Sequence, residues 1–308
     1  MIIREDFSGA EKRLDAFLTI GFFDGVHLGH QKIIGEVVKK ANLSNVQSCV
    51  ITFDRHPSEL FSGRKVKLLT SREEKEEIFR SLGVGVVQVF TFNPRFARLS
   101  PEEFLERLSS IFNIQKILVG EEFAFGFKRE GNVNFLYQNQ VKFGYKLEAI
   151  PPLRLNGEKI SSSMLREWLK KGEIRKVKQG LGRSPTVVGE VITGKRKGRE
   201  IGYPTANLKP HPQKLLPGSG VYAGYVKLEG KIYKALINIG GRPTFGDFAP
   251  GIEVHIINFS GELYGKVLKI DLVERIRDTR LFLSPFHLSQ QIREDRERAE
   301  KILEDYNV

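Results

Sequence analysis

The sequence predicts two domains of different class, an α/β domain followed by an all-β domain. Three observations support this prediction. Apolar runs alternate with helical patterns over the first half, short β-rich runs without helices follow from Thr186, and a basic segment with glycine and proline separates them. We therefore expect domains at 1–175 and 186–308, joined by a linker at 176–185.

The first half has the alternation of a doubly wound, mainly parallel sheet with a Rossmann-like order of strands and helices. Its helical patterns carry capping residues: Ser71 and Ser100 as N-caps, Pro101 at a first helical position, and Gly83 and Gly172 at the ends. The predicted strands are 14–21, 46–53, 84–90, 116–120 and 145–152, and the predicted helices are 29–41, 71–83, 100–112, 132–144 and 161–172.

The second half changes to closely spaced strands separated by turns that carry glycine and proline. This texture is typical of an antiparallel barrel or sandwich, and the fold that we predict is an antiparallel β-barrel. A single closing helix, capped by Ser289 or a residue near it, would cover one end. The predicted strands are 186–192, 220–230, 231–241, 252–259 and 266–276.

Composition limits the class of protein. The chain has 308 residues, a formal net charge of +12 and a single cysteine, Cys49. One cysteine excludes an intramolecular disulfide framework, and with no signal-peptide pattern and no long apolar run we expect a cytoplasmic protein that binds no membrane. The positive charge suits nucleic acid, anionic membranes or phosphorylated substrates, and alone it does not choose among them.

The most informative segment is TIGFFDGVHLGHQKI at 19–33, where a predicted strand gives way to a helix. Ligands of doubly wound sheets bind at such turns. Glycines let backbone N–H groups approach an anion, and His27 and His30 would converge on one phosphate at the positive end of the helix. A metal pair or two structural histidines are the alternatives, but no cysteine and no zincin-type glutamate accompanies them.

This segment resembles the HxGH signature of the nucleotidylyltransferase superfamily. The preceding FFDG and the following Gln31 resemble bacterial bifunctional riboflavin kinase/FMN adenylyltransferases (FAD synthetases) in particular. The resemblance continues in order through TFDRHP, FNPRFARLSPEEFL, VGEEFAFG and ISSSMLREWLKKGEI, at 52–57, 92–105, 119–126 and 160–174.

The resemblance implies roles for residues of the first domain. His27 and His30 would contact ATP phosphates, and Arg166, a forked cation, would bind the leaving pyrophosphate. The SSS stretch before it also has the pattern of an ordinary helix N-cap. Further ATP or phosphate contacts are expected at Gly21, Phe23, Asp24, Gly25, Gly29, Ser162 and Ser163, and contacts to flavin or nucleotide at His56, Asn93, Glu122 and Phe123.

The chain departs from the family pattern at a few of these positions. Glu122 stands where the family usually has Asn or Asp, Ala124 where a basic or polar residue is frequent, and Asn132 and Arg55 replace other common residues. His56 is either a phosphate contact or a turn residue. Aromatic side chains could stack on isoalloxazine or adenine, although core packing is the default for most of them; they are Phe53, Phe92, Phe96, Phe123, Phe125 and Phe127.

GREIGYPTANL at 198–208 resembles the PTAN motif of riboflavin kinase, and four further blocks of that domain follow in order. Thr205 and Asn207 offer oxygen ligands suited to Mg²⁺ bound with ATP, although without the resemblance PTAN has the pattern of a turn. The resemblance makes Glu253 the base for the ribityl hydroxyl, although a solvent-facing carboxylate has the same pattern. GKRKGR is either a loop that binds the ATP phosphates, with Gly194, Lys195, Gly198 and Arg199, or a charged hairpin tip. Arg277 is expected near flavin and nucleotide.

The implied activity has two steps: riboflavin + ATP → FMN + ADP in the second domain, then FMN + ATP → FAD + pyrophosphate in the first. Both are in-line displacements that need positioning, Mg²⁺ and cations. Flavins are then substrates and products, with no tightly bound redox cofactor and no nucleic-acid partner. Two rival hypotheses are a kinase with a degenerate adenylyl domain, because of Glu122 and Ala124, and a basic nucleic-acid-binding module.

Overall fold

The chain divides into two compact units, Met1–Ser162 and Ser163–Val308. The predicted linker falls in the second unit, and a helix, Ile174–Leu181, covers its first part. The computed structural model describes residues 1–5, 13–194, 198, 202–242 and 247–304, without the side chains of 241, 242 and 247–250.

The first unit is built on a six-stranded sheet in which every pair of neighbours is parallel. The order is β1-β4-β3-β2-β5-β8, which confirms the predicted doubly wound sheet; β1 was not predicted. The strands are β1 (Ile2–Glu5), β2 (Leu14–Ile20), β3 (Gln47–Phe53), β4 (Val86–Phe90), β5 (Phe112–Gly120) and β8 (Lys146–Ile150), with short hairpin strands β6 (Ala124–Phe125), β7 (Gly131–Asn132), β9 (Arg154–Leu155) and β10 (Glu158–Lys159).

Local capping explains where the helices of this unit begin. Ser71 and Ser100 each form a capping box with the glutamate three residues on, as their sequence patterns predict. The helical pattern at 132–144 divides into two short helices. The helices are α1 (Leu28–Leu43), α2 (Pro57–Ser62), α3 (Arg72–Ser81), α4 (Pro94–Ala97), α5 (Pro101–Ile111), α6 (Val133–Gln138) and α7 (Gln140–Phe143).

The order of the strands in the sheet indicates where a ligand site is expected. From β2 the chain adds β3 and β4 on one side, and it then returns to add β5 and β8 on the other. The reversal occurs beside β2, whose carboxyl end leads into residues 21–30. In open α/β sheets ligands bind at this switch point, so the fold puts both histidines where a nucleotide site is expected.

The second unit is a closed antiparallel barrel with strand order β11-β12-β15-β14-β13-β16, which confirms the predicted barrel. The PTAN motif contributes a strand, β12, that was not predicted as one. The elements are α8 (Ser162–Lys170), α9 (Ile174–Leu181), β11 (Thr186–Ile192), β12 (Ala206–Pro210), β13 (Gly220–Leu228), β14 (Lys231–Arg242), β15 (Asp247–Ile256), β16 (Val267–Arg277) and α10 (Pro285–Glu304).

The closing helix α10 packs its buried Ala299 and Leu303 against apolar side chains of β13, β14 and β16. The helix begins at Pro285, so its cap lies before Ser289, the residue around which we expected it. The hydroxyl of Ser284 accepts the backbone N–H of His287 and so caps the helix instead. Proline at the first helical position, where no N–H is needed, favours this earlier start.

A buried ion pair joins α10 to the barrel. The Arg277 guanidinium donates to both carboxylate oxygens of Asp295 at 2.7–2.9 Å, and Asp295 is 2% exposed. Removing one partner of such a pair leaves a buried charge uncompensated. We expect Asp295→Ala to lower the free energy of unfolding by about 3 kcal/mol, as measured by urea denaturation.

The matched control for Asp295→Ala is Glu300→Ala, which breaks the half-exposed Arg296–Glu300 pair on the same helix. Exposed pairs of this kind contribute at most about 1 kcal/mol. Equal losses in the two variants would contradict a special contribution from the buried pair.

Candidate functional site

Residues 21–30, called here the histidine turn, leave β2 through an unusual backbone. Phe23, Gly25 and Val26 all have positive φ values of 55°, 80° and 39°. Only glycine adopts this region readily, and a β-branched valine there is strained. Strain of this kind persists only where the surroundings impose it, and it concentrates at ligand sites.

Side chains from outside the turn fix its backbone. The buried Asp24 carboxylate accepts the backbone N–H groups of Leu69 and Thr70, and the Thr70 hydroxyl accepts the Gly25 N–H at 3.0 Å. The Ser162 hydroxyl donates to the Asp24 carbonyl at 2.9 Å. In this structure Asp24 and Ser162, both predicted as phosphate contacts, are bonded within the protein and hold the turn in shape.

The two histidines lie face to face at the start of α1. Their ring centroids are 3.6 Å apart, and Nδ1 of His27 accepts the backbone N–H of His30 as the helix N-cap. A neutral imidazole that accepts at Nδ1 carries its proton at Nε2, so His27 is set as an Nε2–H donor. A side chain on Gly29 would meet the His27 ring at 3.1 Å, and one on Gly21 would meet the Phe23 ring at 2.9 Å.

His30 has a perturbed titration. Burial, together with the neighbouring His27 and Lys75, holds the pKa of His30 well below its usual value, so its imidazole is neutral near pH 7. Its Nδ1 is buried and has no hydrogen-bond partner among the described residues. Two imidazole rings at a helix N-terminus are suited to receive a polyanion, because the anion is attracted to the helix dipole.

Lys75, on α3, was not predicted from the sequence as a site residue. It is 6% exposed, and its ammonium donates to the Phe22 carbonyl at 2.9 Å. The signal in the sequence is its spacing, since Lys75 lies three and four residues before Ile78 and Phe79 on the apolar face of α3. Helical periodicity could show that this lysine faces inward, but it could not show that it faces the histidines.

Four residues that we assigned to flavin or nucleotide binding, or noted as departures from the family pattern, form helix caps or an ion pair within the first unit. His56, Asn93 and Asn132 are N-caps of α2, α4 and α6, accepting the N–H groups of Ser58, Phe96 and Phe135. The His56 ring also packs edge-on against Phe22 at 4.8 Å. Glu122 forms an exposed ion pair with Lys159, and this hydrogen bond lowers the pKa of the Glu122 carboxyl.

Phenylalanines cluster near the carboxyl ends of β3, β4 and β5. Phe123 stacks on Phe125 at 5.4 Å, and Phe96 contacts four neighbouring rings. Their rings pack against the main core of the first unit, as the default interpretation expects. Phe53, Phe96, Phe123 and Phe125 are each partly exposed, and a planar ligand could reach the cluster at these faces.

In the second unit, register brings the predicted kinase residues together. Asn207 on β12 is the direct neighbour of Glu253 on β15, and Glu253 is the direct neighbour of Asn238 on β14. Residues in register point to the same face of a sheet. Their strand neighbours are buried, so this row lies on the outer face of the barrel. Asn238 was not predicted.

The predicted phosphate loop meets the PTAN motif through its glycines. A side chain on Gly194 would collide with the Asn207 amide, and one on Gly198 would collide with the Tyr203 carbonyl and approach the Thr205 hydroxyl to 3.1 Å. The Gly198 carbonyl also accepts the Tyr203 N–H. Both glycines are therefore needed for close backbone approach. Lys195 and Arg199 lie outside the described residues.

His255 is a second residue that the sequence prediction missed, although it stands in the quoted IEVHII. It is two residues from Glu253 and so on the same face of β15. Its Nδ1 lies 2.9 Å from the Pro204 carbonyl, and its ring packs edge-on against Tyr203. Burial lowers the pKa of His255, and the ring anchors the start of the PTAN motif.

The remaining predicted residues, Ser163 and Arg166, lie on α8 in the second unit. Arg277 is held by Asp295, as described above.

Comparison with known proteins decides the family. The FAD synthetase family profile matches residues 10–164, and the riboflavin kinase profile matches residues 181–303. The bifunctional riboflavin kinase/FMN adenylyltransferase of Bacillus subtilis (strain 168) is 35% identical over 295 residues, covering 94% of this chain and 93% of the relative. The chain belongs to the bifunctional riboflavin kinase/FMN adenylyltransferase family.

Further members of this family support the same conclusion. That of Haemophilus influenzae is 35% identical over 285 residues and covers 92% of both chains. A crystal structure described as a macrolide-efflux protein from Streptococcus pneumoniae has a TM-score of 0.88 at 27% identity, covering 97% of this chain and 99% of that one. That description is of the pneumococcal protein, and the likeness shows a shared fold.

Family membership establishes the activity. The chain is an enzyme of flavin cofactor biosynthesis, with an FMN adenylyltransferase domain before a riboflavin kinase domain, and its substrates and products are ATP, riboflavin, FMN and FAD. Enzymes of both kinds use ATP with a divalent metal. None of the helices in the described part of the chain has the length and apolar character needed to span a bilayer.

Proposed function

We propose that the histidine turn is the adenylyl-transfer site of this enzyme. An oxygen of the FMN phosphate attacks the α-phosphorus of ATP, the bond to the bridging oxygen breaks, and pyrophosphate leaves with the electron pair. The observation that supports this is the stacked histidine pair at the positive end of α1, on a turn whose strained backbone is fixed by hydrogen bonds.

Each histidine has its own task in this proposal. The Nε2–H of His27 donates to a phosphate oxygen, because its Nδ1 is occupied by the His30 N–H. His30 is neutral before ATP binds, and the N–H of its ring is proposed to donate to a phosphate oxygen on which negative charge develops in the transition state. The roles of Ser163 and Arg166 at the leaving pyrophosphate stay predictions from the resemblance.

We further propose that the polar row on the outer face of the barrel is the kinase site. Glu253 accepts the proton of the ribityl hydroxyl as that oxygen attacks the γ-phosphorus of ATP, and ADP leaves. Asn207 and Asn238 flank the carboxylate on the two neighbouring strands and are placed to orient the attacking hydroxyl or a phosphate. Gly194 lies against Asn207 at one end of this row.

The metal of the kinase step is proposed to be Mg²⁺. The Asn207 amide lies beside Gly194 and the Thr205 hydroxyl beside Gly198, and their oxygens are hard ligands that leave most positions for phosphate and water. The donor set therefore fits magnesium. When bound, the ion would neutralise charge on the ATP phosphates and hold them in line.

The Glu122 departure is expected to be tolerated. Because Glu122 and Lys159 are both exposed, solvent screens their ion pair and it contributes little to stability. We expect Glu122→Asn, which restores a residue usual in the family, to change FMN adenylylation less than about tenfold. Glu130→Asn, at an exposed glutamate a few residues on, is the matched control. A much larger loss would give Glu122 a direct role in substrate binding.

Purified protein given riboflavin, Mg²⁺ and excess ATP tests the proposal as a whole. Separated flavin products should show FMN first and FAD later. A degenerate adenylyl domain would instead accumulate FMN without FAD. We also propose a cytoplasmic location, which the single cysteine supports, and domain limits at 175 and 186.

A further inference from the structure

The Lys75 side chain contacts Phe22, the first residue of the sequence FFDG, through both its backbone and its ring. The Phe22 carbonyl accepts hydrogen bonds from the Lys75 ammonium at 2.9 Å and from the Thr52 hydroxyl at 3.2 Å. The same ammonium lies 4.2 Å from the centroid of the Phe22 ring. One buried lysine therefore fixes both the backbone and the side chain of the residue at which the histidine turn begins.

The contact between Lys75 and Phe22 is one of several hydrogen bonds that fix the histidine turn. The segment 69–75 also supplies the two N–H groups that bind the Asp24 carboxylate and the hydroxyl that binds the Gly25 N–H. The strained residues of the turn are thus held from one side by a single stretch of chain. Lys75 is the only member of this stretch that brings a cation to the turn.

The charge of Lys75 also acts on the histidine pair. Burial lowers the pKa of Lys75 to about 8; Arg72 adds to this effect, while Asp24 and Glu76 oppose it. Lys75 is therefore mostly charged at pH 7, and its charge joins burial and His27 in lowering the pKa of His30.

A contribution to fold stability does not explain why a charged lysine is buried at this position. Because the folded protein binds its proton less tightly than the unfolded chain does, the charge opposes folding at neutral pH, and stability rises with pH above about 8. An apolar side chain of similar length would avoid this penalty. A charge kept at a cost beside two predicted catalytic histidines indicates a function.

We propose that Lys75 is a positioning residue for adenylyl transfer, fixing the Phe22 carbonyl and placing a buried positive charge behind the histidine pair. The proposal rests on the proposed role of that pair. The charge keeps His30 neutral, and the hydrogen bond keeps the turn in its strained conformation. Lys75 touches neither reacting atom, and it acts through Phe22 and His30.

The test compares Lys75→Met with Lys39→Met, which removes an exposed lysine from α1, in the full-length enzyme. We expect Lys75→Met to lower kcat for FMN adenylylation about tenfold to a hundredfold, and to leave riboflavin phosphorylation and the Tm of the first unit at or above their original values. Lys39→Met should match the unchanged enzyme in all three. A loss of both activities that follows a fall in Tm would overturn the proposal.

The pH dependence of the adenylylation rate distinguishes a positioning role of Lys75 from a role in packing alone. With the Lys75 charge removed, one cause of the low His30 pKa is gone, so the acid limb of adenylylation in Lys75→Met should move to higher pH. In the unmodified enzyme adenylylation should decline through pH about 8 as Lys75 loses its proton. Unchanged limbs in Lys75→Met, or no decline in the unmodified enzyme between pH 7 and 9, would overturn the proposal.

His30→Ala in the same assay keeps the two hypotheses apart. If His30→Ala abolishes adenylylation while Lys75→Met leaves both rate and profile unchanged, the histidine site stands and the proposed role of Lys75 is wrong. If His30→Ala has no effect, the proposed adenylyl site itself is wrong.

Discussion

FAD formation by the His30→Ala variant is expected to fall on the order of 10²–10⁴-fold, while FMN formation stays close to its original rate. The reason is that the imidazole stabilises charge that develops on a phosphate oxygen only in the transition state. The loss should therefore appear in kcat more than in KM for FMN. The kinase residues lie in a different unit, so the same protein sample provides its own activity control.

The matched control for His30→Ala is His211→Ala, at an exposed histidine after β12. Both activities of that variant should equal those of the original enzyme. Equal loss of FMN and FAD formation in His30→Ala would contradict separate sites. An unaffected adenylylation would remove His30 from the reaction.

The second large effect is expected from Glu253→Gln, which keeps the size of the side chain and removes its basicity. Riboflavin phosphorylation should fall on the order of 10²–10⁴-fold, because an amide cannot accept the ribityl proton. Adenylylation of supplied FMN should remain measurable. The products are separated by chromatography after incubation with riboflavin or with FMN.

Glu190→Gln on β11 is the control, since Glu190 is an exposed carboxylate on a strand of the same barrel. It should leave phosphorylation unchanged. A Glu253→Gln variant with full kinase activity would show that the carboxylate is solvent-facing without a chemical role, which is the alternative that its strand pattern allows.

Local rules predicted much of the fold. The capping boxes at Ser71 and Ser100 depend on residues within three positions, and these were predicted correctly. The cap of α10 was predicted only to within a few residues, because Ser289 and Ser284 are both acceptable caps and the choice depends on how far the helix extends over the barrel. Strand β1 was missed because an exposed edge strand has no alternating pattern.

The candidate sites were predicted only in part, and the missing part is long-range. The sequence identifies His27 and His30 because their spacing is a motif, but Lys75 reaches Phe22 across 53 positions. Asn238 joins Glu253 through strand register, which no local pattern reveals. His255 stood inside a quoted block, yet its contact with the Pro204 carbonyl depends on the turn before β12.

Mixing His30→Ala with Glu253→Gln tests the central claim most directly, namely that two separate sites act in succession on one flavin. Given riboflavin, Mg²⁺ and ATP, the first variant alone should stop at FMN and the second alone should leave riboflavin unchanged. We predict that an equal mixture makes FAD, because FMN released by one molecule is adenylylated by the other. If the mixture makes no FAD although each variant keeps its remaining activity, the account of two independent sites is wrong.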